Sequence, residues 1–141
     1  MEGKGEVDST CDPATITSDQ GSRINGLLKD LLIQTGADFA LVVRTEGTVI
    51  AETGTVITDE IENVGMLAAL IYGAAQKIGG LLSSGVSFVH QHSDQKDLLI
   101  LRISGQSGLI IGFGQALGLG EMLYKGRRTA AGLAELLGTS T

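Results

Sequence analysis

Three β-rich runs in the second half of the chain follow one another too closely to be anything but antiparallel neighbours. They are Val86 to His92, Asp97 to Ser104 and Leu109 to Phe113, joined by turns at Ser93–Lys96 and Gly105–Gly108. A parallel crossover needs about a dozen residues or more, which these turns do not have. The middle run, DLLILRIS, is apolar on both faces, with Leu98 and Ile100 on one and Leu99, Leu101 and Ile103 on the other. Such a strand must be covered from both sides. The run Val86 to His92 is expected at the sheet edge, where unpaired backbone invites another chain.

The rest of the chain completes this sheet. Asp38 to Arg44 and Thr48 to Glu52 are β-rich runs around a Glu46-Gly47 turn, which predicts a hairpin. Ahead of them, Ser18 or Asp19 caps a helix with Ile24, Leu27, Leu28, Leu31 and Leu32 at helical spacing, ended by Gly36. A last helix runs from about Leu119 to Leu137 and stops at Gly138. Between hairpin and three-strand run lies TDEIENVGMLAALIYGAAQKIGGLLSS, Thr58 to Ser84, a long helix. The order is α-β-β-α-β-β-β-α. The expected fold is a five-stranded antiparallel sheet with helices on both faces, an α/β (α+β) layer architecture.

The long helix has the most to say about function. Thr58 is placed as its N-cap, with Asp59, Glu60 and Glu62 where the helix dipole favours negative charge. Val64, Leu67, Ala68, Ile71, Ala75, Ile78 and Leu82 form an apolar stripe expected to face the sheet. Gly79-Gly80 should loosen its last turn and Gly85 close it. The opposite side, Glu62, Met66, Ala69, Gly73, Gln76, Lys77 and Gly80, is thin in charge and small in side chain. Gly65, Ala69 and Gly73 follow at four-residue steps. A mid-helix glycine costs about 1 kcal/mol relative to alanine, so close approach of another backbone is the simplest reason for these. That backbone is another molecule's helix or the domain's own sheet.

Composition narrows the functional classes. At 141 residues the chain has the size of one domain, with an acidic leader expected disordered over 1–18, the domain over 19–138 and a tail over 139–141. Net charge is −6 and the isoelectric point about 4.7, which argues against nucleic acid as ligand. No uninterrupted apolar run reaches the roughly 18 residues of a membrane span, and the first residues lack a signal peptide's basic start, so no membrane insertion and a cytoplasmic location are expected. The single Cys11 leaves no internal disulfide.

No catalytic constellation is found. His90 and His92 alternate on a strand and point to one face, as two metal ligands would, but only Asp94 is near them in sequence, and polar alternation on an edge strand accounts for the pair equally well. Gly112-Phe-Gly114-Gln-Ala-Leu-Gly118 has a dinucleotide-loop look, but its third glycine is one residue late and antiparallel strands precede it, so it reads as a strand-to-helix turn. No P-loop is present. Lys125, Arg127 and Arg128 read as a solvated helix face or a contact for an acidic partner. No cofactor and no metal is expected.

The hairpin ALVVRTEGTVIAETG, the small-residue-rich long helix and the closing GRRTAAGLAELL together resemble the Roadblock/dynein light-chain family, from Ile24 to Leu137. The resemblance implies a Roadblock/longin-like fold and a homodimer or heterodimer with long helices side by side and edge strands joined. Carried over, Gly65, Ala69, Tyr72, Gly73 and Gln76 would line the helix contact, and Val86, Phe88, His90 and His92 the joined edge. It also implies a small Ras-like GTPase as partner, met by an outward platform that includes Glu62, Met66, Gln76 and Lys77, with any nucleotide and Mg²⁺ belonging to that partner. The expectation is a non-enzymatic homodimeric regulator or scaffold. The alternatives are a dimeric adaptor for a non-GTPase protein and a small-molecule sensor.

Overall fold

The computed structural model describes residues 18–55, 58–114 and 117–138. The elements are α1 (Ser18–Thr35), β1 (Phe39–Arg44), β2 (Val49–Gly54), α2 (Thr58–Leu81), β3 (Phe88–His92), β4 (Lys96–Ser104), β5 (Ser107–Gly114) and α3 (Leu119–Leu137). This is the expected order. Residues 1–17 of the leader and 139–141 of the tail lie outside the described residues, while Ser18 already begins α1.

All five strands form one antiparallel sheet in the order β2-β1-β5-β4-β3, so β3 is a free edge. Alternation along the strands sorts the core into two layers. Ala40, Val42, Leu99, Leu101, Leu109, Ile111 and Phe113 meet Ile24, Leu28 and Leu31 of α1 and Met122, Ala130 and Leu133 of α3. Leu41, Val43, Ile100 and Ile110 meet Ile61 and Ala68 of α2. Both faces of β4 are covered, as its sequence demands. Gly36 ends α1 at φ +77°, its N–H donating to the Leu32 carbonyl at 2.8 Å.

Two local expectations are corrected. The segment GFGQALG is no loop at its start, because Gly112 and Gly114 belong to β5. Gly112 pairs with Phe39, and a Cβ there would lie 2.1 Å from Phe39 Cε2, so the missing side chain makes room for the ring. Gly85 does not close α2. Ser83 does, at φ +56°, and the Ser84 N–H donates to the Gly79 carbonyl at 2.7 Å. The returning chain passes so near the helix that a Cβ on Gly79 would meet the Ser84 carbonyl oxygen at 2.5 Å.

Candidate functional site

Helix α2 buries only part of the stripe its hydrophobic periodicity selects: Ala68 is buried and Val64, Ile71 and Ala75 are half-buried, while Leu67, Ile78 and Leu82 are exposed. The innermost row is Ile61, Gly65, Ala68 and Gly79, all buried, with half-buried Tyr72 and Ala75 between them; Gly79 meets the chain returning toward β3 and not the sheet itself. At about 100° per residue these lie within a narrow arc of the helix. Most are small, and smallness brings the helix down onto the strands. A Cβ on Gly65 would stand 3.0 Å from Val49 Cγ2, 3.1 Å from the Gly47 carbonyl oxygen and 3.2 Å from Val43 Cγ1. Gly65 therefore faces its own hairpin, and the expectation that it lines a contact with another molecule is overturned.

The large apolar side chains are left outside. Leu67 is 56% exposed, Leu70 64%, Ile78 58%, Leu81 86% and Met66 48%. Periodicity places Leu67, Ile78 and Leu82 under the helix. They flank it instead, because a helix seated closely on a sheet through glycine and alanine has no room beneath for leucine. Gly73 is exposed, with nothing within 4 Å of a Cβ built on it. Lys77 is exposed as well, and Glu62 lies on α2 with its side chain outside the described residues. Over Asn63–Leu81 the mean hydropathy is 1.3 and only 17% of the residues are buried. By length and composition that stretch is long and apolar enough to cross a membrane, although Gln76 and Lys77 interrupt its apolar run. Here it is seated on the sheet through Ile61, Gly65 and Ala68.

One flank of α2 opens into a groove of about 420 Å³ floored by Val43, Ile100 and Ile110. Ala69, Tyr72, Gly73 and Gln76 form its helical wall, so four residues assigned to a helix contact border one depression. The Tyr72 hydroxyl donates to the Val86 carbonyl at 3.2 Å. Val86 is not in the edge strand as expected. It lies in the connection before β3, folded over the end of α2, where its Cγ2 would be 2.9 Å from a Cβ on Gly79.

Phe88, His90 and His92 do lie on β3, and all three side chains share the face that carries α1 and α3. His90 Nε2 bonds Asp97 Oδ2 at 2.7 Å and His92 Nδ1 bonds Asp97 Oδ1 at 2.9 Å. His90 also stacks on Phe113 at 6.2 Å between ring centroids. The hydrogen bond from His90, above all, holds the Asp97 carboxyl below its ordinary value against the opposing effect of burial, and His92 adds to it. Asp97, not Asp94, is the acid of this cluster. The signal lay in hairpin register, since Asp97 sits directly across from His92. Among the described residues no group of three or more His, Cys, Asp or Glu is arranged to hold a metal ion.

No protein-family model matches the chain, and comparison with curated proteins by sequence gives no match. Solved structures do match. An MglB with a tetrameric arrangement superposes with a TM-score of 0.82 at 21% identity, over 87% of this chain and 93% of that one. The gliding protein MglB from Thermus thermophilus gives 0.81 at 20% identity, over 87% and 94%. A Roadblock/LC7 domain from Streptomyces avermitilis gives 0.74 at 16% identity, over 79% and 95%. The chain has the Roadblock/LC7 fold. In this Roadblock/LC7 fold the outer face of α2 and the free edge of β3 are surfaces that the packing of the described residues leaves open.

Proposed function

We propose that this chain is a non-enzymatic, cytoplasmic Roadblock-type regulator or scaffold that self-associates and binds a small Ras-like GTPase. One observation carries the reading: α2 packs on the sheet through Gly65 and Ala68 and leaves Leu67, Leu70, Ile78 and Leu81 largely in solvent. Exposed apolar patches of this kind mark interaction sites. Full burial of each such side chain stabilises by about 1.5–3 kcal/mol. Several together offset the roughly 4–15 kcal/mol that association costs in lost freedom.

A second copy is the occupant that best fits one flank. Gly73 leaves open space where another helix backbone can approach, and the unpaired edge of β3 supplies a second seam. Met66 and Lys77 then stay on the outward platform for the GTPase. A platform that binds one nucleotide state more tightly shifts the GTPase toward that state, with no chemistry of its own.

The test is capture from source lysate on tagged protein, in parallel with GDP and with a non-hydrolysable GTP analogue, followed by mass spectrometry. A small GTPase enriched in one nucleotide state supports the reading and gives its direction. Recovery of the chain alone, or of a non-GTPase protein, replaces it with a dimeric adaptor.

A further inference from the structure

On the other face of the sheet, α3 carries a basic and aromatic surface that borders the β3 edge. Arg127 lies 5.6 Å from the Phe88 ring centroid, and its Nη2 donates to Ser87 Oγ at 3.4 Å. Arg128 lies 5.9 Å from the Tyr124 ring centroid, and Tyr124 is 61% exposed. Arg127, Arg128, Tyr124, Leu123, Gly120 and Ala131 line a shallow groove of about 390 Å³. Among the described residues neither arginine has a carboxylate partner. The nearest acid in sequence, Glu121, is held by Lys125 at 3.1 Å, and Glu135 is two turns further along α3. Two cations stacked on aromatic rings beside an apolar groove fit an acidic peptide.

The chain carries such a peptide within reach. Residues 1–17 hold Glu2, Glu6, Asp8 and Asp12 against the single cation Lys4. They enter the fold at Ser18, beside the last turn of α3, because α1 runs antiparallel to α3. Gln20 Nε2 donates to the Leu136 carbonyl at 2.9 Å, and at the other end Lys125 Nζ donates to the Gln34 carbonyl at 3.4 Å. From Leu136 back to Arg128 the helix spans about 12 Å. From Ser18 back to Asp12 an extended chain spans up to about 20 Å, and to Asp8 about 33 Å.

We propose that the acidic segment 1–17 folds back along α3 of the same chain and seats Asp8 and Asp12 on Arg127 and Arg128, covering Tyr124. The contact is independent of what binds α2.

Cys11 is the chain's single cysteine and stands next to Asp12, which makes the proposal testable in the full chain. Ala131→Cys places a thiol in the groove, and Asn25→Cys places one on exposed α1 at comparable reach from Ser18. Under a mild oxidant the intramolecular disulfide should form about tenfold faster in the Ala131→Cys variant, since docking raises the effective concentration. The difference should vanish in about 0.5 M NaCl and with Arg127→Glu and Arg128→Glu together. A nitroxide on Cys11 of the otherwise unaltered protein should broaden the amide signals of 120–131 at low salt. Equal rates at the two positions, or a preference that ignores salt and charge reversal, would overturn the proposal. So would a disulfide formed only between two chains.

Discussion

Tyr72 on α2 reaches across to the backbone ahead of β3, its hydroxyl donating to the Val86 carbonyl oxygen at 3.2 Å. The bond ties α2 to the connection that leads into the free edge strand β3. It also fixes Val86 over Gly79, where the chain turns back after the helix.

Removing this tie should loosen the edge strand more than the core. Tyr72→Phe keeps the ring and deletes the donor, so a loss of about 0.5–1.5 kcal/mol is expected in urea unfolding. Amide exchange should quicken over Val86 to Val89 and stay unchanged in β5. Uniform quickening across the sheet would assign Tyr72 a general packing role instead.

Gly65 and Gly73 are two turns apart on one helix and should respond oppositely to the same substitution. Gly65→Ala pushes a methyl against Val49, Val43 and the Gly47 carbonyl. Overpacking outweighs the gain in helix propensity, and a net loss of about 1–2 kcal/mol is expected. Gly73→Ala meets open space, so the single chain should gain up to about 1 kcal/mol while self-association weakens. Urea unfolding at low protein concentration, paired with sedimentation, separates the two effects. A Gly73→Ala variant that associates as well as the parent would remove Gly73 from the interface.

This contrast also marks how far the sequence could be read. Strand alternation and short turns determine the antiparallel sheet, and Gly36 and Gly138 stop their helices where their positions predict. The inner face of α2 was not legible from hydrophobicity. Periodicity assigns the largest apolar residues to the core, whereas this helix sits on the sheet through Gly65 and Ala68 beside Ile61. The periodic signal thus selected a stripe partly in solvent, and the ridge read as an outer feature was divided between the two sides. Asp97 was missed for another reason. Its partnership with His90 and His92 depends on cross-strand register, which becomes visible only once the β3–β4 hairpin is aligned.

The Asp97 cluster predicts a dependence on acid. The His90 hydrogen bond, with a smaller part from His92, holds the native carboxyl below its ordinary 3.8 despite burial. A carboxyl that binds its proton less readily in the folded state contributes stability above its unfolded value and loses it as pH falls through the native one. The stability difference between the parent and Asp97→Asn should therefore narrow as the pH drops below 3.8, measured by urea unfolding at successive pH values. A difference that grows in acid would contradict the assignment.

The claim that a second copy packs against one flank of α2 meets its most direct test in the mass of the particle in solution. Sedimentation equilibrium at about 10 µM would hold most chains paired for a Kd of about 1 µM. The account predicts a mass at least twice the 14.6 kDa of one chain, falling to a single chain in Leu70→Glu with its circular dichroism and melting unchanged. A parent protein that sediments at 14.6 kDa, with Leu70 and Leu81 still in solvent, would contradict it.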